Sequence, residues 1–304
     1  MTLEQLRIFV AVADAQHITR AADGLNLTQS AVSGSVAALE ARHGVRLFDR
    51  VGRSIALNET GRALLVEARA ILAQVAAAET VLADMAALRT GRLTIHASQT
   101  IASYWLPKRL VAFHAEHPGV ELDVRVGNTR EAADAVRNGE AELGYVEGDV
   151  HDPHLSDETV GEDWLVLLVK ADHPWGSVAG LTAADLRSQP WVLREAGSGT
   201  RSSLEAGLRS LGVEANQLRI ALTLPSNEAV LAAVLAGAGV TALSESVAAG
   251  ALARGSLVKA PLKLPARTYR LLRHKERYRT RAADAFVALA LALRDLEPGD
   301  NYVI

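Results

Sequence analysis

Two clusters in this chain carry hydroxyl, amide and cationic groups at spacings that suit recognition more than bond-making. The first is Thr28-Gln29-Ser30, with Ser33 one helical turn further on. Thr28 is a good helix N-cap, and a helix opening there points its N-terminal amides at any nearby phosphate. Gln29 can pair with an adenine edge in a major groove, while Ser30 and Ser33 are short enough to let the backbone approach. Arg50 and Arg53, on either side of Gly52, suit phosphate or minor-groove contact. From these residues alone, a small helical protein-docking domain remains as reasonable as a DNA reader.

The second cluster is Arg194-Glu195-Ala196-Gly197-Ser198-Gly199-Thr200-Arg201. Gly197 and Gly199 allow close backbone approach. The Ser198 and Thr200 hydroxyls and the amides that follow would converge on an anion, with the Arg201 charge nearby. An ordinary helix cap in a tight turn is the plainer reading of this loop. Ser98-Gln99-Thr100 ends a second predicted strand, however, and strand C-termini are where α/β folds place ligands.

Periodicity supplies the elements that position these groups. Residues 1–58 read as short helices followed by a hairpin. Leu3, Leu6, Phe9, Val10 and Ala13 recur at helical spacing, Thr19 is expected to cap a short helix that stops at Asn26, and Thr28 caps the next, with Ala31, Val32, Val36 and Leu39 as its apolar stripe up to His43-Gly44. Val45 to Leu57 reads as a two-stranded hairpin. Asn58 to Leu88 is one long helix. Its Leu64, Ala68, Ile71, Val75, Ala78, Leu82 and Met85 fall at alternating steps of four and three, a heptad seam assigned to self-association because these positions belong to neither flanking fold. Thr90-Gly91 ends it as a hinge.

Beyond Arg92, strands predicted at 92–97, 120–126, 142–146, 164–170, 191–194, 218–223, 239–243 and 268–273 alternate with helices at 104–116, 130–138, 199–211, 226–237 and 281–296. That alternation predicts an α/β fold with largely parallel strands, crossed between two lobes by a loop from Glu147 to Asp163.

Composition narrows the function. The 304 residues hold 35 Asp/Glu against 32 Lys/Arg, so nothing global attracts nucleic acid and any such binding must be local. Residues 1–62 have seven Arg and six acidic residues, a net of only +1. There is no cysteine, which excludes disulfides, thiolate–zinc sites, iron–sulfur clusters and a thiol nucleophile, and fits a reducing cytoplasm. The apolar stretch from Ala229 to Leu243 is broken by Gly237, Gly239 and Thr241 and falls short of the roughly 20 residues a span requires. The first residues have no signal-peptide pattern. A cytoplasmic protein with no membrane partner is expected.

The run Ala21-Ala22-Asp23-Gly24-Leu25-Asn26-Leu27-Thr28-Gln29-Ser30-Ala31-Val32-Ser33, with Leu39-Glu40, Gly44, Leu47-Phe48-Asp49-Arg50 and Thr60-Gly61, closely resembles the LysR-type transcriptional regulators. The resemblance implies a winged helix-turn-helix (1–58), a linker and dimerisation helix (59–89), and a two-lobed effector domain like that of periplasmic solute-binding proteins (92–304). Lobe I would take 92–162 and 267–304, and lobe II 163–266. It implies a homodimer or homotetramer paired through the linker helices, reading double-stranded operator DNA through Thr28, Gln29, Ser30, Ser33, Arg50 and Arg53, with RNA polymerase as a further partner. Family members often have a larger polar or basic side chain where Gly34 stands, which shifts base readout here toward Gln29, Ser30 and Ser33.

The resemblance also implies an effector cleft lined by Ser98, Thr100, Thr129, Glu147, Gly197, Ser198, Gly199, Thr200 and Arg201. Gly127-Asn128-Thr129, Tyr145-Val146-Glu147-Gly148 and the Gly-Ser-Gly-Thr-Arg loop look like the branch related to sulfur-anion and carbon-fixation regulators. The expected effector is a small oxyanion such as sulfite or sulfate, or else a small organic acid, with no cofactor. Glu147 sits awkwardly with a dianion. It either accepts from a protonated ligand or pairs structurally with Arg201.

An enzyme is not expected, since the chain contains no Gly-x-Ser-x-Gly elbow, Walker A loop or complete Gly-x-Gly-x-x-Gly fingerprint. His114 with His117, and His151 with His154, read as surface residues and not as metal ligands. The seven Arg/Lys between Arg267 and Arg281 read as a solvated face. The rival to a regulator is a solute-binding-type ligand sensor without a direct DNA role, which residues 92–304 alone would support.

Overall fold

The computed structural model describes residues 1–51, 54–84 and 91–295, which form two compact units. In the first, α1 (Leu3–Ala15), α2 (Ile18–Leu25) and α3 (Gln29–His43) precede a hairpin of β1 (Phe48–Val51) and β2 (Ser54–Leu57), and α4 (Glu59–Asp84) follows. Leu6, Phe9 and Val12 of α1 meet Val32, Val36 and Leu39 of α3 in one core, closed by Phe48, whose ring lies 5.6 Å from that of Phe9. The caps are local. Asn26 takes a left-handed φ of 56°, and the Leu27 amide returns to the Ala22 carbonyl, ending α2. Thr28 Oγ1 then accepts from the Ala31 amide and starts α3. Thr19 is not the cap of α2, as the sequence led us to expect. His17 holds that position and Thr19 lies inside the helix.

The linker helix starts where Asn58 Oδ1 accepts from the Gly61 amide. Its seam is only partly free. Ala68 is fully buried in the first unit's core and Leu64 packs against it, which corrects the assignment of the whole seam to self-association. Ile71, Val75 and Ala78 instead line a shallow apolar groove. The Leu82 side chain, Met85 and Thr90 lie outside the described residues.

The second unit is α/β, with two lobes. Its elements are β3 (Gly91–Ser98), a π-helical turn over Ile101–Trp105 leading into α5 (Leu106–Glu116), β4 (Val120–Gly127), α6 (Thr129–Asn138), β5 (Leu143–Glu147), β6 (Leu155–Lys170), α7 (Ala183–Ser188), β7 (Pro190–Arg194), α8 (Gly199–Ser210), β8 (Arg219–Leu224), α9 (Asn227–Leu235), β9 (Thr241–Ser244), α10 (Glu245–Ala253), β10 (Leu257–His274) and α11 (Arg281–Asp295). The main sheet runs β4-β3-β5-β10-β6-β9, and β7 pairs with β8 in a smaller one. One lobe has its core around Ile95, Tyr145 and Phe286, the other around Leu167, Trp191 and Leu208.

Two sequence expectations fail here for one reason. The strands are not largely parallel: β3–β4, β3–β5 and β7–β8 are, whereas β5–β10, β6–β10 and β6–β9 are antiparallel. Nor is 147–163 a crossover loop, because β6 already begins at Leu155 and runs unbroken into the second lobe beside the equally long β10. Each strand exchanges its hydrogen bonds with the other, so polar stretches such as Ser156-Asp157-Glu158 stay extended despite their turn-like composition. Among the described residues, no helix is long and apolar enough to cross a membrane.

Candidate functional site

On the first unit, Thr28, Gln29, Ser30 and Ser33 stand exposed along the start of α3, and Arg50 stands exposed on β1. Val32, Val36 and Leu39 anchor the opposite face in the core, so the helix presents its polar side without strain. The space around Gly34 is open. Arg53 lies outside the described residues. On the expectation that Gln29 pairs with an adenine edge, Gln29→Ala should weaken binding to operator sequence by about 1–3 kcal/mol, the worth of one bidentate base contact, and leave non-specific DNA binding unchanged. Arg50→Ala should weaken both alike. Gel-shift titrations on operator and scrambled duplexes check this, and equal loss on both duplexes for Gln29→Ala would refute the assignment.

In the second unit, the C-terminal ends of β3 and β5 meet the N-terminal turns of α6, α8 and α9 around the middle of the two long strands. The Glu147 carboxylate lies at the centre, 2% exposed. Ser98 Oγ and Thr200 Oγ1 both donate to it, the latter at 3.2 Å, and Thr129 Oγ1 donates to the Glu147 carbonyl at 3.0 Å. The Arg267 guanidinium is 3.5 Å from the carboxylate. Antiparallel register sets Arg267 opposite Asp163, and its Nε and Nη2 donate to Asp163 Oδ2 at 2.9 and 2.5 Å. Further bonds run from Arg267 to Thr200 Oγ1 and Thr100 Oγ1, and from Ser244 to Asp163. Burial opposes the charge on Arg267, yet Glu147 and Asp163 hold its pKa above the ordinary arginine range.

The structure brings together Ser98, Thr100, Thr129, Glu147, Gly199 and Thr200 of the residues named from the sequence. Gly199 has a physical requirement for its identity: a Cβ there would stand 2.1 Å from the Glu147 carbonyl oxygen. Gly197 has φ +97°, and with Ser198 it forms the turn into α8. Arg201 is not part of the group. Its Nε donates to Glu205 at 2.7 Å and its Nη1 to the Arg194 carbonyl, and it lines an adjoining surface cleft of about 550 Å³ with Thr129, Arg130, Gly197 and Ser198. Of the two sequence readings of Glu147, the one that paired it with Arg201 is corrected: its basic partner is Arg267.

Arg267 departs from the reading of 267–281 as a solvated face, being only 5% exposed, whereas Lys275, Arg279 and Arg281 are exposed. The sequence did contain a signal. Arg267, Tyr269 and Leu271 share one face of a strand by period-two alternation, and all three are buried. Asp163, Arg194, Asn227 and Ser244 are likewise buried polar residues of the site that sequence reasoning missed. Two carboxylates against one guanidinium leave the immediate centre with a formal excess of negative charge. Among the described residues, no group of acidic and histidine side chains could hold a metal ion.

Residues 3–62 match the bacterial regulatory helix-turn-helix model of the lysR family, and residues 86–294 match the LysR substrate binding domain. The chain is 33% identical over 289 residues to an uncharacterized HTH-type transcriptional regulator, YeiE, of Escherichia coli (strain K12), covering 94% of this chain and 96% of that one. It is also 33% identical over 292 residues to a probable RuBisCO transcriptional regulator of Nostoc sp., covering 94% and 86%. The fold matches that of full-length CbnR complexed with its target DNA at a TM-score of 0.68 and 23% identity, over 95% of this chain and 99% of that one. The helix-turn-helix match sets aside a solute sensor without a DNA role. The chain belongs to the LysR family of transcriptional regulators, and its relatives there include probable RuBisCO transcriptional regulators.

Proposed function

We propose that residues 1–58 read double-stranded operator DNA, that residues 59–89 pair copies of the chain into a dimer or tetramer, and that residues 92–304 sense a small oxyanion or small organic acid. The protein would do this in the cytoplasm, beside the chromosome. The apolar groove over Ile71, Val75 and Ala78 supports the pairing helix.

The observation that carries the effector reading is the way Glu147 is held. Its carboxylate is bound as an incoming anion would be, by two hydroxyl donors and a guanidinium in a site closed to water. An effector with two or three oxygens takes those donors only if Glu147 gives them up. Anion entry and Glu147 departure then become one exchange, which avoids adding a negative charge to a centre already rich in it. Because Ser98 and Glu147 belong to one lobe and Thr200 to the other, the exchange changes how the lobes are tied. A ligand shifts an equilibrium only by its differential affinity for the two states, and this exchange supplies such a difference. Sulfite and sulfate each offer the two or more oxygens that this donor set can bind.

A thermal-shift series with sulfite, sulfate, thiosulfate, phosphate and small carboxylates tests the reading, since specific binding stabilises progressively with concentration. The Ser98→Ala/Thr200→Ala double variant should lose that response and keep wild-type DNA affinity. Loss of DNA binding in the variant would count against separable sites. An undiminished shift would place the ligand elsewhere.

A further inference from the structure

The π-helical turn ahead of α5 divides its side chains between the two lobes of the sensing unit. It is closed by the Leu106 amide, which donates to the Ile101 carbonyl and so makes a loop one residue wider than an α-turn. In an α-turn Ile101 and Tyr104 would share a face, as residues three apart do. Here Ile101 and Trp105 are buried in the core around Ile95, within the lobe to which the turn belongs. Tyr104, half-buried, instead packs on the other lobe, against an apolar cluster that includes Leu168, Val192, Val230, Val234 and Leu243. Among the described residues, the rest of the apolar side chains packed on that cluster come from its own lobe.

A ring seated in the opposite lobe is an apolar tie. Separating the lobes withdraws it into water, at a cost that grows with the apolar area exposed. Two polar ties cross the same boundary away from the Glu147 centre. Gln99 Oε1 accepts from the Asn227 amide at 2.8 Å, and the Arg130 amide donates to the Gly197 carbonyl at 3.2 Å. Each of these exchanges a protein partner for water when the lobes part, so its net worth is modest. Neither bond involves Tyr104. The segment that ends in the turn also carries Ser98, which donates to Glu147, and Thr100, which accepts from Arg267. The ring and the hydroxyls of the charged centre therefore stand on one short stretch of chain.

We propose that Tyr104 is a positioning residue that holds the lobes closed, with the wide turn as the device that aims its ring out of one lobe and into the other. Loss of the ring then raises the population of lobes parted as whole bodies, and every bond between them opens more often. This inference rests on the reading above only in taking lobe separation as the switching movement. The hold itself is measured without any ligand, so failure to find an effector would leave it intact.

The test is hydrogen–deuterium exchange on the full-length chain, resolved at three amides. Asn227 and Arg130 each report one bond between the lobes. Val192, whose amide donates to the Val240 carbonyl at 2.9 Å, reports the interior of the lobe that receives the ring. Tyr104→Ala should speed exchange at Asn227 and Arg130 by a common factor of about ten, the effect of losing a partly buried aromatic side chain, and leave Val192 at its wild-type rate. Tyr104→Phe, which keeps the ring, should restore both. Should Tyr104→Ala not fold, Tyr104→Leu should speed the same two amides by a smaller common factor. Wild-type rates at Asn227 and Arg130 in the truncated variant would overturn the proposal. Equal acceleration at Val192 would overturn it too, because the ring would then be ordinary core packing.

Discussion

Arg267→Met should destabilise the sensing unit by about 3–5 kcal/mol, the usual result of removing one partner from a buried ion pair. Burial alone would cost a methionine little, since its volume is close to that of the side chain it replaces. The loss comes from what is left behind. Glu147 and Asp163 both remain in the interior, and Asp163 retains only its Ser244 bond of those described. One of the two carboxylates must then take up a proton or draw water inward. Urea unfolding checks the magnitude, and a second construction isolates the cause. In the triple variant Glu147→Gln/Asp163→Asn/Arg267→Met the orphaned charges are gone, so most of the lost stability should return. A single variant as stable as wild type would mean that the triad carries no net interaction. A triple variant as weak as the single one would mean that the arginine acts through packing.

Gly199→Ala should have the next largest effect, for steric and not electrostatic reasons. The added methyl would lie 2.1 Å from the Glu147 carbonyl oxygen and 2.5 Å from Thr129 Oγ1. The nearest atom is a backbone carbonyl at the C-terminal end of β5, where Glu147 still pairs with Tyr269, and it cannot turn away. The N-terminus of α8 must retreat from β5, and overpacking of this kind costs about 1–3 kcal/mol. More telling is where the retreat occurs. Thr200 is carried with it, away from Glu147 and Arg267, so the response to anions should disappear together with the stability. Thermal unfolding with and without sulfite measures both. Wild-type stability with a full anion response would show that the close approach of α8 to β5 is not needed.

What the sequence revealed, and what it withheld, follows from the range of the interactions. The reading head was legible because everything that shapes it is local. Thr28 caps α3 three residues ahead of the amide it accepts, Asn26 and Gly44 end α2 and α3 by left-handed turns, and Val32, Val36 and Leu39 mark the buried face by spacing alone. Thr19 misled because it resembles a cap in composition, although the chain had already turned into a helix at Ile18. The hydroxyls at the strand ends were legible too, since Gly-Ser-Gly-Thr and Ser-Gln-Thr announce tight turns at predictable places.

The charged centre was not. Arg267 meets Asp163 across 104 residues, and only the pairing of β6 with β10 brings them opposite each other. Seven basic residues in a stretch of fifteen look solvated until that pairing is known. The same pairing converts the polar segment after Leu155 from an apparent loop into strand. Leu64 and Ala68 show the converse error, apolar positions on a long helix credited to a partner when the first unit's own core takes them. Periodicity says which face of an element is apolar and nothing about what covers it.

We propose that Glu147 occupies the place of the effector, held by Ser98, Thr200 and Arg267. Titration calorimetry of sulfite into the full-length wild type and into Glu147→Gln decides this. The neutral amide keeps the shape and removes the competing charge. Sulfite should bind the variant tighter by about tenfold or more, because a like charge at contact distance in a protein interior is worth over 1.4 kcal/mol. Equal affinity in the two proteins, or loss of binding in Glu147→Gln, would contradict the account.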